Sequence, residues 1–472
     1  MRWIAGLLAA AAMFAYFNSE QPHGYTYHLW DMFHYYLGSK YHAELGYKRI
    51  YRCTAVAESE LSPASLTEVR GRGLRNLETN SIETTAAALA EPAACKLHFS
   101  AERWAAFKKD VAFFRGQSDR AFWVRVQTDH GYNTPPLWTA MGKMLAVVFP
   151  VSTPGLTALA CIDPILFIGM FFAIFRAFGF RVMCVAIIFW GTQFPAHEFF
   201  TNGAMLRKDW LFLTVVSACL ARRRCYFLAG GALMAASLLR VFPAVLFAGW
   251  IVHAAAHALH HRRLPRPYAR TFAGAAVIGA TLACVSAAVV GPDAYGEFIA
   301  HIRAHQQVPL TNNMGLPQIV SFSTEGRAQW TRDYGLVDPY SKWASAQIET
   351  RHRRHAIWAG IVCVVAVAFV VLVARLKTMW VTQALSLVLL VSATPLACYY
   401  YDVFILAALL SAIHKRFERA ALLVAGTSAM LIRWPRLSYW WDDRYVVQSV
   451  LFFGFAVGLL LSFKKRHARR EA

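Results

Sequence analysis

Apolar runs recur along this chain from residue 3 to residue 463, and no single water-soluble core can hide all of them. A helix crosses a bilayer with about 20 apolar residues. Runs of that order fall at roughly 3–17, 154–175, 182–201, 207–221, 226–240, 241–258, 271–291, 356–375, 380–397, 399–414, 419–433 and 446–463. Only 16% of the 472 residues are charged and the mean hydropathy is +0.37, whereas soluble domains carry about 25% charged residues. The expected fold is therefore an all-α polytopic membrane protein with about 11–13 transmembrane helices. Met1–Phe17 is apolar with one Arg2, and no small-residue cleavage site clearly precedes Asn18, so it reads as a retained first span. Residues 137–151 form a short apolar run that fits either a further span or a re-entrant segment.

The formal net charge of +21 suggests nucleic acid in a soluble chain. In a polytopic one, Lys and Arg set topology and meet anionic lipid, so membrane lipids are the expected partner and nucleic acid is not. Basic clusters stand at Arg222–Arg224, His260–Arg270, Arg375–Lys377, His414–Arg419 and Lys464–Arg470. Placing them all in the cytoplasm puts residues 18–136, 292–355 and 434–445 on the other side, and Thr201–Asp209 with them. The chain then divides into a first span (1–17), a large extracytoplasmic loop (18–136), a transmembrane core (137–291), a second extracytoplasmic loop (292–355) and C-terminal spans with a basic tail (356–472).

Within the first loop, Trp104, Phe107, Val111 and Phe114 recur at helical spacing opposite Lys108, Lys109 and Arg115. That pattern serves equally a helix lying in the membrane interface and one packed inside a loop domain. Of the nine cysteines, Cys53 and Cys95 share this loop, and an oxidising compartment would permit a disulfide between them. No Cys-x-x-Cys spacing suggests a metal site.

The stretch most concentrated in reactive side chains is His28–His42, with Asp31, His34, Tyr35, Gly38 and His42 on one face if it forms a regular helix. Ionisable groups next to lipid are costly, so those retained there are informative. His197 and Glu198, then Arg207, Lys208 and Asp209, cluster at the expected outer ends of two consecutive spans, and Arg240 interrupts an apolar stretch. His301 and His305 fall on the same side. Together these read as a cationic phosphate site facing a carboxylate that takes a proton. Plainer roles exist for each: snorkelling anchors for Arg207 and Lys208, a hydrogen-bonded pair for His197 and Glu198, an aromatic belt for the tyrosines, a helix cap for Asp31.

A short first span followed by an acidic-aromatic stretch ending in Gly46-Tyr-Lys-Arg-Ile-Tyr51 resembles the opening of GT-C glycosyltransferases. Asn133-Thr-Pro-Pro-Leu137, Phe199-Phe-Thr-Asn-Gly203 and Leu238-Leu-Arg-Val-Phe-Pro-Ala244 resemble further blocks of the polyprenol-phosphate-mannose-dependent mannosyltransferases in that superfamily. The resemblance covers roughly residues 1–51 and 130–260. It departs at Thr201-Asn-Gly203, where the family often has Gly-Gln, at Arg240, where it often has Lys, and in a longer first loop. It implies a GT-C-like bundle with two large extracytoplasmic loops, in a bacterial inner membrane, with the active site facing outward. It implies transfer of a sugar from a polyprenyl-phosphate donor to a glycan or lipid acceptor with inversion, Asp31 acting as base and Arg240, Arg207 and Lys208 binding the donor phosphate. His34, Tyr35, His197, Glu198, Asn202, His301 and His305 are candidate substrate or supporting contacts, and no cofactor or metal is expected. A lipid-linked-sugar flippase or transporter is the alternative, although no inverted repeat is visible.

Overall fold

The computed structural model describes residues 2–17, 26–197, 203–434 and 441–463, without the side chains of residues 2, 196, 197 and 441. Helices carry most of these residues. The strands among them form two short antiparallel ladders, Gly73–Arg75 with Ile82–Thr84 and Asn313–Met314 with Leu396–Ala397. The architecture is all-helical, as expected for a membrane protein of this composition.

Five helical stretches among the described residues are long and apolar enough to cross a bilayer: Thr153–Phe178, Phe242–His261, Arg266–Val290, His355–Val373 and Asp442–Ser462. Several other apolar stretches make shorter helices than the sequence suggests. The run at 182–201 forms a helix over Phe180–Thr192 that breaks at Gln193 before a short turn of helix over Phe194–His197, and 137–151 becomes Pro136–Val148. Phe180–Thr192 and Pro136–Val148 have 13 residues each, about 20 Å of helix at 1.5 Å per residue, against a hydrocarbon core of about 30 Å. The run at 380–397 splits into Met379–Leu385 and Leu387–Ala393, and 399–414 opens with a 3₁₀ segment over Cys398–Phe404. These breaks place backbone irregularity inside the bundle, which is tolerated only where protein or a polar cavity covers it.

Close helix packing holds the bundle where lipid offers no hydrophobic drive. Tyr226–Leu239 and Arg266–Val290 approach so nearly that a Cβ on Gly230 would lie 1.8 Å from the Thr271 carbonyl oxygen, and one on Gly274 would lie 1.8 Å from that of Phe227.

The first loop folds around the Ile50–Ser59 helix, whose Tyr51, Cys53, Thr54, Ala55, Val56 and Ala57 are buried. The Ala101–Gly116 helix turns Trp104, Phe107, Val111 and Phe114 into that core, so its apolar side packs within the loop domain. Its Asp110 accepts hydrogen bonds from Lys40 Nζ at 2.6 Å and Tyr41 OH at 2.8 Å. Buried Glu58 is held by Arg72 and by the Trp123 indole at 2.8 Å. A disulfide joins Cys53 to Cys95 with the Cα atoms 5.4 Å apart. Closing a loop of 42 residues is worth about 4 kcal/mol in the chain-entropy account.

The second loop is tied at both ends. Its Ala294–Gln306 helix rests on the first loop, and Asp442, in the first turn of the last helix, accepts from Ala328 N at 2.8 Å and Trp343 Nε1 at 2.9 Å.

Candidate active site

Asp31 stands in the first turn of a helix that His28 caps, the imidazole Nδ1 accepting the Asp31 backbone N–H at 3.2 Å. The regular helix expected over 28–42 does not form. Leu29–Asp31 is α-helical, Met32–Tyr36 is a π-helical turn, Leu37–Lys40 returns to α, and Tyr41 breaks the run before His42–Leu45. The wider turn rotates the side chains apart, so the five residues do not share one face. Tyr35, Gly38 and His42 turn toward the Tyr132 ring. His34 turns elsewhere, bonded to Tyr51 OH at 2.7 Å and to the Trp30 carbonyl at 2.8 Å, with Asp129 Oδ2 3.9 Å away. Such π turns recur at functional sites because they re-aim side chains without ending the helix.

Facing Asp31 is the segment 203–208. Gly203 adopts φ +77°, and a Cβ there would meet the Thr26 carbonyl oxygen at 2.9 Å. Its own carbonyl accepts the His28 backbone N–H at 2.9 Å. Asp163, buried near the start of the Ile162–Phe178 helix, accepts the backbone N–H groups of Arg207 and Lys208 at 3.0 and 3.1 Å. The Trp138 indole donates to the Leu206 carbonyl at 3.0 Å and the Trp210 indole to that of Arg207 at 3.1 Å.

Backbone fixation aims the Arg207 guanidinium. Its Nε lies 3.4 Å from Asp31 Oδ2, its Nη1 donates to Tyr35 OH at 2.5 Å, and its Cζ sits 4.9 Å and 4.6 Å from the ring centres of Tyr35 and Tyr399. Arg240 ends the Tyr226–Leu239 helix, with Nη1 donating to the Leu239 carbonyl at 2.7 Å and Cζ 5.7 Å from the Trp138 ring. Its electrostatic neighbours include Tyr400, Asp209, Tyr35 and Arg207. Asp31, Arg207 and Arg240 are 5%, 6% and 6% exposed, so the cluster is closed off from solvent in this conformation.

Burying charges at this density costs several kcal/mol per ion unless partners repay it. Here repayment is incomplete. Asp31 Oδ2 and Arg207 Nε are close as an ion pair yet make no hydrogen bond, and Arg240 Nη2 and Asp209 Oδ2 are likewise buried without one. The two guanidinium donors among these atoms suit an anionic, hydrogen-bonding ligand, and the two carboxylate oxygens suit a ligand hydroxyl.

Lys208 does not join this group. Its Nζ is ion-paired with Asp402 and both are buried, so the ammonium expected to hold phosphate is already neutralised by a carboxylate. His301 and His305 stand with the first loop instead. His301 Nε2 hydrogen-bonds Asn133 Oδ1 at 2.6 Å and its ring stacks on Tyr47, while the His305 ring lies 5.8 Å from that of His130. Burial, with help from His305, lowers His301 to about 4, and burial with Arg75 lowers His130 to about 3. Glu198 and Asn202 lie outside the described residues, and His197 is described only as the last residue of the Phe194–His197 helix.

Several participants were not expected from sequence: Asp163, Asp402, Tyr399, Tyr400, Trp138 and His28. A lone carboxylate inside an apolar run is itself a signal, and Asp163 and Asp402 both carried it. Among the described residues no group of three His, Cys, Asp or Glu side chains is placed to hold a metal ion. A surface groove lined by Lys48, Arg49, Arg52, Glu78 and Glu91 lies beside Cys95 and shares no residue with the cluster. No family model, no curated protein and no solved structure matches this chain.

Proposed function

We propose that the chain is a polytopic glycosyltransferase of the inner membrane, with about 11–13 spans, that moves a sugar from a polyprenyl-phosphate donor to an extracytoplasmic acceptor. The observation that carries the reading is the 3.4 Å approach of Asp31 Oδ2 to Arg207 Nε, with Tyr35 and Arg240 around it. A carboxylate base and a phosphate-binding cation must share one substrate, so they must lie within about 10 Å of each other.

The reaction is a single displacement. The acceptor hydroxyl oxygen bonds to the anomeric carbon as Asp31 takes its proton, and the bond from that carbon to the phosphate oxygen breaks with inversion. The electron pair goes to the departing lipid phosphate, whose charge Arg207 and Arg240 stabilise. Arg207 pairs with Asp31 in the closed state, and transfer of the guanidinium to the phosphate frees the carboxylate to act. Positioned base catalysis contributes roughly 10²–10⁴-fold and preorganised charge a comparable factor.

The test is transfer from radiolabelled polyprenyl-phosphate sugar in proteoliposomes. Asp31→Asn is isosteric and keeps the fold, and its turnover falls by about 10²–10⁴. Turnover within about tenfold of wild type would remove Asp31 from the role of base. Activity that EDTA abolishes would overturn the metal-free mechanism.

The buried Lys208–Asp402 pair favours a second reading, since ion pairs deep in a helical bundle also mark transport pathways. A flippase would move fluorescent lipid-linked sugar across the proteoliposome membrane without forming a glycosidic product.

A further inference from the structure

Resting on the transferase reading, we infer that Trp30, Asp129, His130 and His305 form the acceptor subsite, and that it takes an uncharged sugar rather than a phosphorylated or acidic headgroup.

Trp30 adjoins Asp31 in the chain, and its indole donates to Asp129 Oδ2 at 2.8 Å. His34 links the two carboxylates, 3.9 Å from Asp129 and an electrostatic neighbour of His28, which caps Asp31. The group therefore begins beside the base and shares no residue with the Arg207, Arg240 and Tyr399 group.

Asp129 keeps 35% of its side chain exposed, yet protein crowds it so closely that burial is the strongest influence on its titration. His305 combines partial exposure and crowding in the same way. Both side chains are reachable from solvent and stand in one cluster with His130. His130 Nδ1, buried and without a hydrogen bond, is a further polar atom at that place.

Asp129 is held below its ordinary range: burial pushes it up, but His34, His130 and the Trp30 indole outweigh that. It is an anion and repels others. His130 and His305, lowered chiefly by burial, are neutral near pH 7, so each offers one N–H donor and one lone pair. Arg75, the nearest cation, is occupied by the carbonyls of Thr128 and Asn80 and by Asp338. An acceptor carboxylate, paired donors and acceptors, and an indole face match the hydroxyls and C–H face of a pyranose.

The experiment uses the full chain in nanodiscs and two probes: methyl glycosides, read by saturation-transfer NMR, and a polyprenyl monophosphate, read by tryptophan quenching. Asp129→Asn keeps an acceptor for the Trp30 indole, so the local shape persists. It lowers glycoside affinity about tenfold, and His305→Ala about threefold, the loss of one hydrogen bond apiece. Neither changes monophosphate binding, whereas Arg207→Ala weakens the monophosphate and spares the glycoside. Glycoside binding that is absent in wild type, or unchanged in both variants, overturns the inference. So does tighter binding of an inositol phosphate than of any glycoside. Should Asp129→Asn fail to fold, His305→Ala decides alone. If Arg207→Ala leaves monophosphate binding intact, the transferase reading falls, and the Asp129 result still decides the sugar site.

Discussion

Arg207 and Lys208 are neighbours with opposite duties. One guanidinium faces Asp31 with a donor unused, and the adjacent ammonium is consumed by Asp402. Removing one partner of a buried pair costs about 3–5 kcal/mol, while replacing both by apolar residues is often neutral. Lys208→Met alone should therefore destabilise the chain, and Lys208→Met with Asp402→Leu should restore both melting temperature and sugar transfer. Failure of the double variant to transfer would return Lys208 to the site. Arg207, Lys208 and Arg240 were legible in the sequence because cations at the edge of apolar runs are too costly to be incidental. Asp163 and Asp402 were equally costly, but nothing in the linear order connects residue 163 with 207 or 402 with 208. Only folding makes them partners.

Among the elements, the π turn over Met32–Tyr36 matters most. Met-Phe-His-Tyr-Tyr carries no local signal for a wider turn, so a regular helix was the natural expectation, and the outcome depends on packing against Tyr51 and Tyr132. The Ala101–Gly116 helix was readable from its spacing, but its burial partner was not. The five long apolar helices were legible for the same reason, whereas the runs at 380–397 and 399–414 break into shorter pieces that apolar composition does not mark. The 203–208 segment gives a test at this scale. Gly203→Ala combines φ +77° with a contact of 2.9 Å to the Thr26 carbonyl, and the 26–28 backbone that caps Asp31 must move. A destabilisation of about 1–3 kcal/mol is expected, with turnover falling further than stability requires. Unchanged turnover per folded molecule would show that the cap position is not critical.

For the whole molecule, the two large loops meet through histidines held neutral, and this sets a direction for acid sensitivity. His42, His130 and His301 sit at about 4, 3 and 4 in the folded chain, against about 6.5 when unfolded. Below pH 6.5 the unfolded state binds more protons, so stability falls as pH drops toward those folded values. Melting temperature in detergent should decline from pH 7 to pH 5, and His130→Gln with His301→Gln should flatten the slope; a parallel slope would place the sensitivity elsewhere. Arg240 carries a last consequence. Its guanidinium is buried with Nη2 unpaired, a burden of about 1–3 kcal/mol that the fold does not need. A library evolved for heat resistance without a catalytic screen should therefore lose this arginine early together with its buried neighbour Asp209, Arg240→Leu with Asp209→Asn raising the melting temperature while silencing transfer. The most disposable residue for endurance would then be among the least disposable for work.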